Sequence, residues 1–474
     1  MSERISVIGL GKLGASMAAA FAARGFDVIG VDVNQRSIEL VNEGRAPVQE
    51  TDLDEIISAN RERIRATASH EEAVINSDIS FVIVPTPSDE RGAFSLQYAK
   101  WAFKEIGKAI GKKNGYHNVV LTCTVLPGST RQALIPILEK ESGKVAGRDF
   151  GVCYSPEFIA LGSIIADFLH PDFTLIGELD DRSGEQLESI YSRVVKNGAP
   201  SARMSLENAE LTKISINTFV TTKITFANML AEICEKLPGG DVDVVTNALG
   251  MDTRIGRKYL TGSIGYGGPC FPRDNVALSF IAKELGVKAT MAETTDSMNR
   301  AIAEKVSQRI LPMVHPGATV AVLGLAYKPF SHVTEESQGV YIAQHLSKNG
   351  MRVVAYDPMS NEMALDDVRR NIVVLDSLKE CLSQATAVLI TTPDPVFKAL
   401  SADDFRNEWS EVTVFDFWRL LRAKLDGQPH IKYIAIGAST DNASVRTPTE
   451  IYLMRIFALH IMRRQTRCAI CTTF

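Results

Sequence analysis

A cysteine stands at position 270 in the stretch GSIGYGGPCFPRD, Gly262 to Asp274, with four glycines before it and a proline and two charges after it. A nucleophilic sulfur needs an approachable frame of this kind. It also needs a cationic neighbour or a helix end, because the thiolate is the form that attacks a carbonyl. The commoner fate of a free cysteine is burial as an inert, small apolar group. Gly267 and Gly268 leave room for close approach of a sugar. Asp274 follows Cys270 by four residues and faces the sulfur if a helix begins there.

Lys213 and Asn217 are also four apart, inside a long helical pattern, and therefore share a face. An ammonium beside a carboxamide can steady an oxyanion, or accept a proton if burial lowers its pKa. By spacing alone, such a pair more often simply meets water. Thr122, Thr124 and Ser129 in TCTVLPGST, and Glu157 in YSPEF, have no special claim when taken singly.

The N-terminus carries a third group. RISVIGLGKLG is a short apolar run followed by Gly9, Gly11 and Gly14. A small-residue helix comes next, and then FDVIGVDVN, ending at Asp32. The glycines allow a tight turn, backbone approach to a pyrophosphate and packing of helix on strand, and the helix start favours phosphate charge. Asp32 can accept hydrogen bonds from an adenosine ribose and would repel a 2′-phosphate, which favours NAD over NADP. A second turn, GLAYKP, lacks the third glycine and carries Lys328. It suits a phosphate held by a lysine point charge, or equally a lysine in water. Together, a hydride-accepting nicotinamide, a cysteine to capture an aldehyde, and groups to handle protons and water equip the chain to oxidise an alcohol twice, to a carboxylate.

The elements that must position these groups alternate strand and helix from the N-terminus through ISFVIVPTP, NVVLTCTVLPGST, GVCYSPEF and FTLIGE, which implies a parallel sheet. A helical pattern from about Glu207 to Lys236 follows. Ser205 is a candidate N-cap, Glu207 and Glu210 lie near the positive end, and LPGG stops the helix. From Gly317 the opening pattern returns in ATVAVLGLAYKP, MRVVAYDP, ATAVLITTPDP and EVTVFDFW. The expected fold is α/β: two Rossmann-like doubly wound domains joined by a long central helix and a helical dimerisation region. The domains are 1–204, 205–300 and 301–450, with a tail over 451–474.

A length of 474 residues supports two or three domains. The net charge of −5 lacks the basic footprint of a nucleic-acid binder. No run reaches the ~18 apolar residues of a membrane span, and no signal-peptide pattern opens the chain. Seven scattered cysteines suggest free thiols in the cytosol rather than a disulfide framework, and Cys468 and Cys471 read as a bland tail. The eight histidines show no ligand spacing, so no metal is expected.

The ordered motifs GLGKLG, VPTP, TCTVLPGST, YSPEF, ELTKISINTF, RIGRKYL, GYGGPCFPRD, GLAYKP and AYDP resemble those of the nucleotide-sugar dehydrogenases over nearly the whole chain, to about residue 437. The resemblance is greatest to the branch that oxidises UDP-glucose. It implies an NAD-binding domain, a dimer-supporting helix and a domain that helps to bind UDP. For NAD it implies Gly9, Gly11, Lys12, Leu13, Gly14, Asp32, Pro85, Thr86 and Thr124. For catalysis it implies Cys270 as nucleophile through a thiohemiacetal and a thioester, Lys213 and Asn217 at the oxyanion, Asp274 and Thr124 at a water, and Glu157 in thioester hydrolysis. For the sugar nucleotide it implies Phe158, Ile159, Lys213, Tyr259, Tyr266, Gly267 and Lys328, with Arg254 reaching a neighbouring subunit's site. The implied partners are a UDP-sugar and a second copy of the chain in a homodimer or higher oligomer, with no nucleic acid and no membrane.

The chain departs from the family pattern at Leu161, where a second glutamate is usual, and at Arg273, where lysine is. It departs again at His332, Val333 and Glu335, and at Trp418, where arginine is common. UDP-N-acetylmannosamine and GDP-mannose are the alternative substrates. A two-electron β-hydroxyacid dehydrogenase, which needs no cysteine, is the alternative reaction, and a binding or regulatory protein the non-enzymatic one.

Overall fold

A computed structural model describes residues 3–359 and 372–440. The chain divides into two compact units. The first runs to Val220 and adds Pro269–Ser297; the second takes Thr221–Gly268 and resumes at Met298. The expected middle region, 205–300, is thus shared between the two. The expected tail over 451–474, with Cys468 and Cys471, lies outside the described residues.

The first unit is built on β1 (Arg4–Ile8), β2 (Asp27–Val31), β3 (Ile64–Thr67), β4 (Ile79–Val82), β5 (Asn118–Leu121), β6 (Gly151–Tyr154), β7 (Thr174–Glu178) and β8 (Ser201–Ser205). Their order is β3-β2-β1-β4-β5-β6-β7-β8. β1, β4, β5 and β6 bury nearly every residue, as parallel strands covered on both faces must, and so read as continuous apolar runs. One face packs Phe21, Phe168, Leu187 and Tyr191 from helices Lys12–Ala23, Ile164–Leu169 and Asp181–Val194. The other packs Phe103, Ile106 and Leu138 from helices Gln97–Lys112 and Ile135–Ser142.

The sheet departs from the wholly parallel expectation in one place, since β7 runs antiparallel to β6. The connection carries only the six-residue helix Ile164–Leu169.

The second unit holds β9 (Thr319–Leu323), β10 (Arg352–Tyr356), β11 (Ile372–Val374), β12 (Ala387–Ile390), β13 (Val412–Asp416) and β14 (Ile431–Ala435) in the order β11-β10-β9-β12-β13-β14, every pair parallel. It repeats the three-two-one-four order of the first sheet, as the recurring glycine turn anticipated. The strands recognised from sequence are present; β3, β8, β11 and β14 were not read.

The long helix spans Leu206–Lys236. Ser205 Oγ accepts from Asn208 N at 3.3 Å, as a capping residue should. Helix Thr290–Ile310 escaped the sequence reading. Thr295, Asn299 and Ser307 are among its buried residues, which blurs the apolar period by which helices are recognised.

Candidate active site

β1 and β4 are neighbours, yet the chain leaves β1 for β2 in the opposite direction. Such a switch point opens a crevice at the carboxyl edge of the sheet. Gly9 follows β1 there with φ of 102°, and a Cβ on it would stand 2.1 Å from the carbonyl oxygen of Ile83. A Cβ on Gly14 would meet Gly9 O at 1.9 Å, whereas one on Gly11 meets nothing within 4 Å. Two glycines therefore close the turn, and the third borders open space at the start of helix Lys12–Ala23, where backbone N–H groups and the helix dipole favour a phosphate. Asp32 Oδ2 accepts from Leu10 N at 2.7 Å and Oδ1 from Asn34 N at 2.8 Å, which aims the carboxylate across the turn. This cradle fits a dinucleotide.

The same edge gathers the later motifs. Pro85 and Thr86 follow β4, Thr124 follows β5, and Glu157, Phe158 and Ile159 follow β6. Thr86 Oγ1 donates to Thr124 O at 2.8 Å, and Arg273 Nη1 reaches Thr86 O at 3.4 Å. Arg273 also lies over the Phe94 ring, 4.8 Å from its centre.

Lys213 and Asn217 are both buried, against the solvent-exposed reading that spacing alone favoured. Lys213 Nζ donates to the backbone carbonyl of Glu157 at 2.6 Å and stands 4.5 Å from the centre of the Phe158 ring. Asn217 Nδ2 donates to Asp274 Oδ2 at 2.6 Å. Asp274 is 1% exposed, and Arg273 Nε approaches its Oδ1 at 3.6 Å. Cys270 is exposed and caps helix Phe271–Glu284, whose Asp274 N bonds back to Cys270 O at 2.9 Å. The helix on which Asp274 would face the sulfur, a condition left open by the sequence, is therefore present.

Burial dominates the electrostatics. It lowers Lys213 from the usual lysine range, opposed by the charges of Asp274, Cys270 and Glu157. It raises Asp274, opposed by Arg273 and Lys213. It raises Glu157 to about 8, opposed by Lys213 and Tyr191. Acids pushed up and a lysine pushed down in one cluster mark groups able to exchange protons near neutrality.

Glu210 was read as a dipole partner of its own helix, but it does something else. Its side chain is buried and accepts Gly128 N at 2.5 Å and Thr130 N at 2.9 Å, clamping the loop that carries Thr124. Tyr191 and Ser155, beside Glu157, carried no sequence signal because they come from unrelated elements.

In the second unit, Tyr266 is buried. Its N–H donates to Asn299 Oδ1 at 2.9 Å, and its carbonyl accepts from Asn299 at 3.0 Å and from Gln338 at 3.3 Å. A Cβ on Gly267 would meet Glu336 O at 2.3 Å, and one on Gly268 the Tyr327 ring at 2.6 Å, so both positions need glycine. Arg254 is exposed and paired with Asp252 at 2.6 Å. Tyr259 is half exposed with φ of 65°, and Lys328 Nζ is 5.7 Å from the Tyr327 ring centre. Trp418 Nε1 donates to Thr391 O at 2.9 Å, while Arg419 makes a two-pronged pair with Asp243 at 2.7 and 2.8 Å. No metal-binding cluster occurs among the described residues, and none of their helices is long and apolar enough to cross a membrane.

Three domain models of one family match in chain order: the UDP-glucose/GDP-mannose dehydrogenase family's NAD binding domain over residues 3–195, its central domain over 207–301 and its UDP binding domain over 321–423. The UDP-glucose 6-dehydrogenase AglM of Haloferax volcanii is 33% identical over 421 residues, covering 88% of this chain and 97% of that protein. The GDP-mannose 6-dehydrogenase of Pseudomonas aeruginosa is 37% identical over 358 residues, covering 75% and 81%. A UDP-glucose dehydrogenase structure from Pyrobaculum islandicum superposes with a TM-score of 0.83 at 32% identity, covering 92% of this chain and 98% of that one. With the dinucleotide cradle and the buried Lys213–Asn217–Asp274 cluster in one unit, and with these matches along almost its whole length, the chain belongs to the UDP-glucose/GDP-mannose dehydrogenase family.

Proposed function

We propose that this NAD-dependent nucleotide-sugar dehydrogenase oxidises the C6 hydroxymethyl of UDP-glucose to the carboxylate of UDP-glucuronate, with Cys270 as the covalent nucleophile. The observation that carries the mechanism is the burial of Lys213, Asn217 and Asp274 together, with Lys213 electrostatically coupled to the Cys270 sulfur. Gly9, Gly11, Lys12, Leu13, Gly14, Asp32, Pro85, Thr86 and Thr124 hold NAD, which, when bound, supplies the acceptor for the hydrides of both oxidations.

The chain's own groups do the rest. Lys213, its affinity for protons lowered by burial, receives the C6 hydroxyl proton as the aldehyde forms. The Cys270 thiolate adds to that aldehyde, so the intermediate stays bound. The resulting oxyanion meets the Lys213 ammonium and the Asn217 amide, donors already oriented by their bonds to Glu157 O and Asp274. After the second oxidation the thioester carbonyl is attacked by a water positioned by Thr124 and Asp274. Glu157 assists, and the Cys270 thiolate leaves. To sugar-nucleotide binding we assign Phe158, Ile159, Lys213, Tyr259, Tyr266, Gly267 and Lys328, with Arg254 supplied to a neighbouring subunit.

The domains we assign are 1–204 for NAD, 205–300 for dimerisation and catalysis, and 301–450 for the UDP-sugar. A homodimer is supported by Phe226, Met229, Ile233 and Leu237, which expose an apolar stripe at helical spacing, large enough in residue type to call for a partner. The five described cysteines are not joined in disulfides, which supports a reducing, cytosolic setting. The similarity to GDP-mannose 6-dehydrogenases favours GDP-mannose as the second reading.

The test is NADH formed per UDP-glucose consumed, followed to completion. Two NADH per sugar are expected. One would indicate a simple alcohol dehydrogenase. None with UDP-glucose but two with GDP-mannose would transfer the proposal to that substrate.

A further inference from the structure

The segment between β4 and helix Gln97–Lys112 folds back on itself before the helix begins. Ser88 bridges Phe94 in antiparallel pairing, and Asp89 N donates to Ala93 O at 2.8 Å. Asp89 Oδ1 accepts from Arg91 N and Ala93 N at 2.9 and 3.0 Å. This small hairpin lies against helix Phe271–Glu284. Gly92 comes so close that a Cβ on it would meet Val276 Cγ1 at 2.3 Å, and the Arg91 guanidinium stands 5.7 Å from the centre of the Phe280 ring. Phe94 is buried in one cluster with Ala277 of that helix and Ile214 of the long helix.

Arg273 and Asp274 are consecutive on their helix, and consecutive helical positions do not face each other. The guanidinium comes within 3.6 Å of Asp274 Oδ1 by curling back, and fixing a long side chain in that way loses rotamer entropy. The hairpin offsets the loss. The guanidinium lies over the Phe94 ring, 4.8 Å from its centre, and Nη1 donates to Thr86 O at 3.4 Å. A planar guanidinium can rest on a ring face and donate from its edge at once. The lysine usual at this position in the family offers a point charge on a flexible stem.

We propose that the hairpin Ser88–Phe94 holds Arg273 against the buried carboxylate of the site, with Phe94 and Arg273 as positioning residues for Asp274. This rests on the reading of Asp274 as a group of the catalytic site.

Besides Arg273, Asp274 faces Lys213 and the Asn217 amide from the long helix and Tyr154 from β6. Burial pushes Asp274 up, and Arg273 is the foremost charge opposing it, ahead of Lys213. Arg273 also disfavours the proton on Lys213. A guanidinium that slips from the ring therefore leaves Asp274 protonated to higher pH, and a neutral acid holds the Asn217 amide less strongly than a carboxylate does.

The experiment is infrared titration of the Asp274 carboxyl in the full chain without substrate, identified by difference against Asp274→Asn. Arg273→Met removes the charge and should raise the midpoint by about one pH unit. Phe94→Leu keeps an apolar side chain in the cluster but takes away the ring face, and should raise the midpoint by about half a pH unit. In the double variant Phe94→Leu should add nothing to Arg273→Met, because it acts through the guanidinium. Arg273→Lys, at a side chain 28% exposed, should lie between the parent and Arg273→Met. A fully additive rise in the double variant, or a parental midpoint in any single variant, would overturn the proposal. Because the readout needs no turnover, failure of UDP-glucose as substrate would leave this result standing.

Discussion

The side-chain amide of Asn217 donates to the carboxylate of Asp274 at 2.6 Å, across 57 residues of sequence. That bond ties the long helix to the helix that begins at Cys270. It also gives Asp274 a buried partner, so the carboxylate can stand beside Lys213 without facing water.

Asp274 supports the protonated form of Lys213 against burial. In Asp274→Asn that support is gone, and Lys213 loses its proton at a lower pH. The turnover of the variant should fall about 10²- to 10⁴-fold, the usual worth of a positioned proton-transfer group. The limb of its pH–rate profile belonging to Lys213 should move to lower pH. An unmoved limb would separate Asp274 from Lys213.

Cys270→Ala should yield no uronate while the affinity for NAD is kept, because the cradle at Gly9, Gly11 and Gly14 shares no side chain with the cysteine. Product analysis by mass spectrometry and calorimetric titration with NAD check the two halves separately. Full uronate formation would remove the covalent mechanism.

Asp32→Ala should weaken NAD binding by about one to two powers of ten. It loses charge-assisted hydrogen bonds to the ribose worth about 1.5–3 kcal/mol, and also the brace on Leu10 N. Unchanged affinity in a titration would contradict the cofactor assignment of this residue.

Glu210→Ala leaves the N–H groups of Gly128 and Thr130 without their acceptor. With about 1–3 kcal/mol for each of the two buried orphan donors, a loss of roughly 2–6 kcal/mol is expected in denaturant unfolding. The conservative Glu210→Gln should recover part of it, since an amide oxygen still accepts.

Glu157 makes stability depend on pH. Its carboxyl ionises near pH 4.5 when unfolded and near 8 when folded, so between these values the folded state holds the extra proton. Its contribution to stability falls as pH rises through this window. Glu157→Gln lacks this dependence, so it should be no more stable than the parent at pH 4 and progressively more stable by comparison up to pH 8. Thermal unfolding at a series of pH values measures it. A parallel pair of curves would place the Glu157 carboxyl in water.

The amino-acid sequence determined the pieces that are local. GLGKLG after an apolar run, with an acid closing the next strand, specifies a strand, turn and helix because short-range sterics allow little else. The return of an apolar run and glycine turn in ATVAVLGLAYKP specifies the opening of a second α/β domain. Period and turn chemistry act over a few residues, so they can be read directly.

The rest depended on which elements meet. Lys213 and Asn217 look like a wet helix face until the carboxyl edge of the sheet and the helix from Phe271 cover them. Glu210 looks like a dipole partner until Gly128 and Thr130 arrive beneath it. Tyr191 and Ser155 reach Glu157 from separate strands and helices. Gly267 and Gly268 have backbone of Glu336 and the Tyr327 ring where a Cβ would stand, a close approach that the spacing of the motif does not reveal. Burial, and with it every displaced pKa of the site, arises from non-local packing that no spacing along the chain encodes, so the tertiary structure alone decided it.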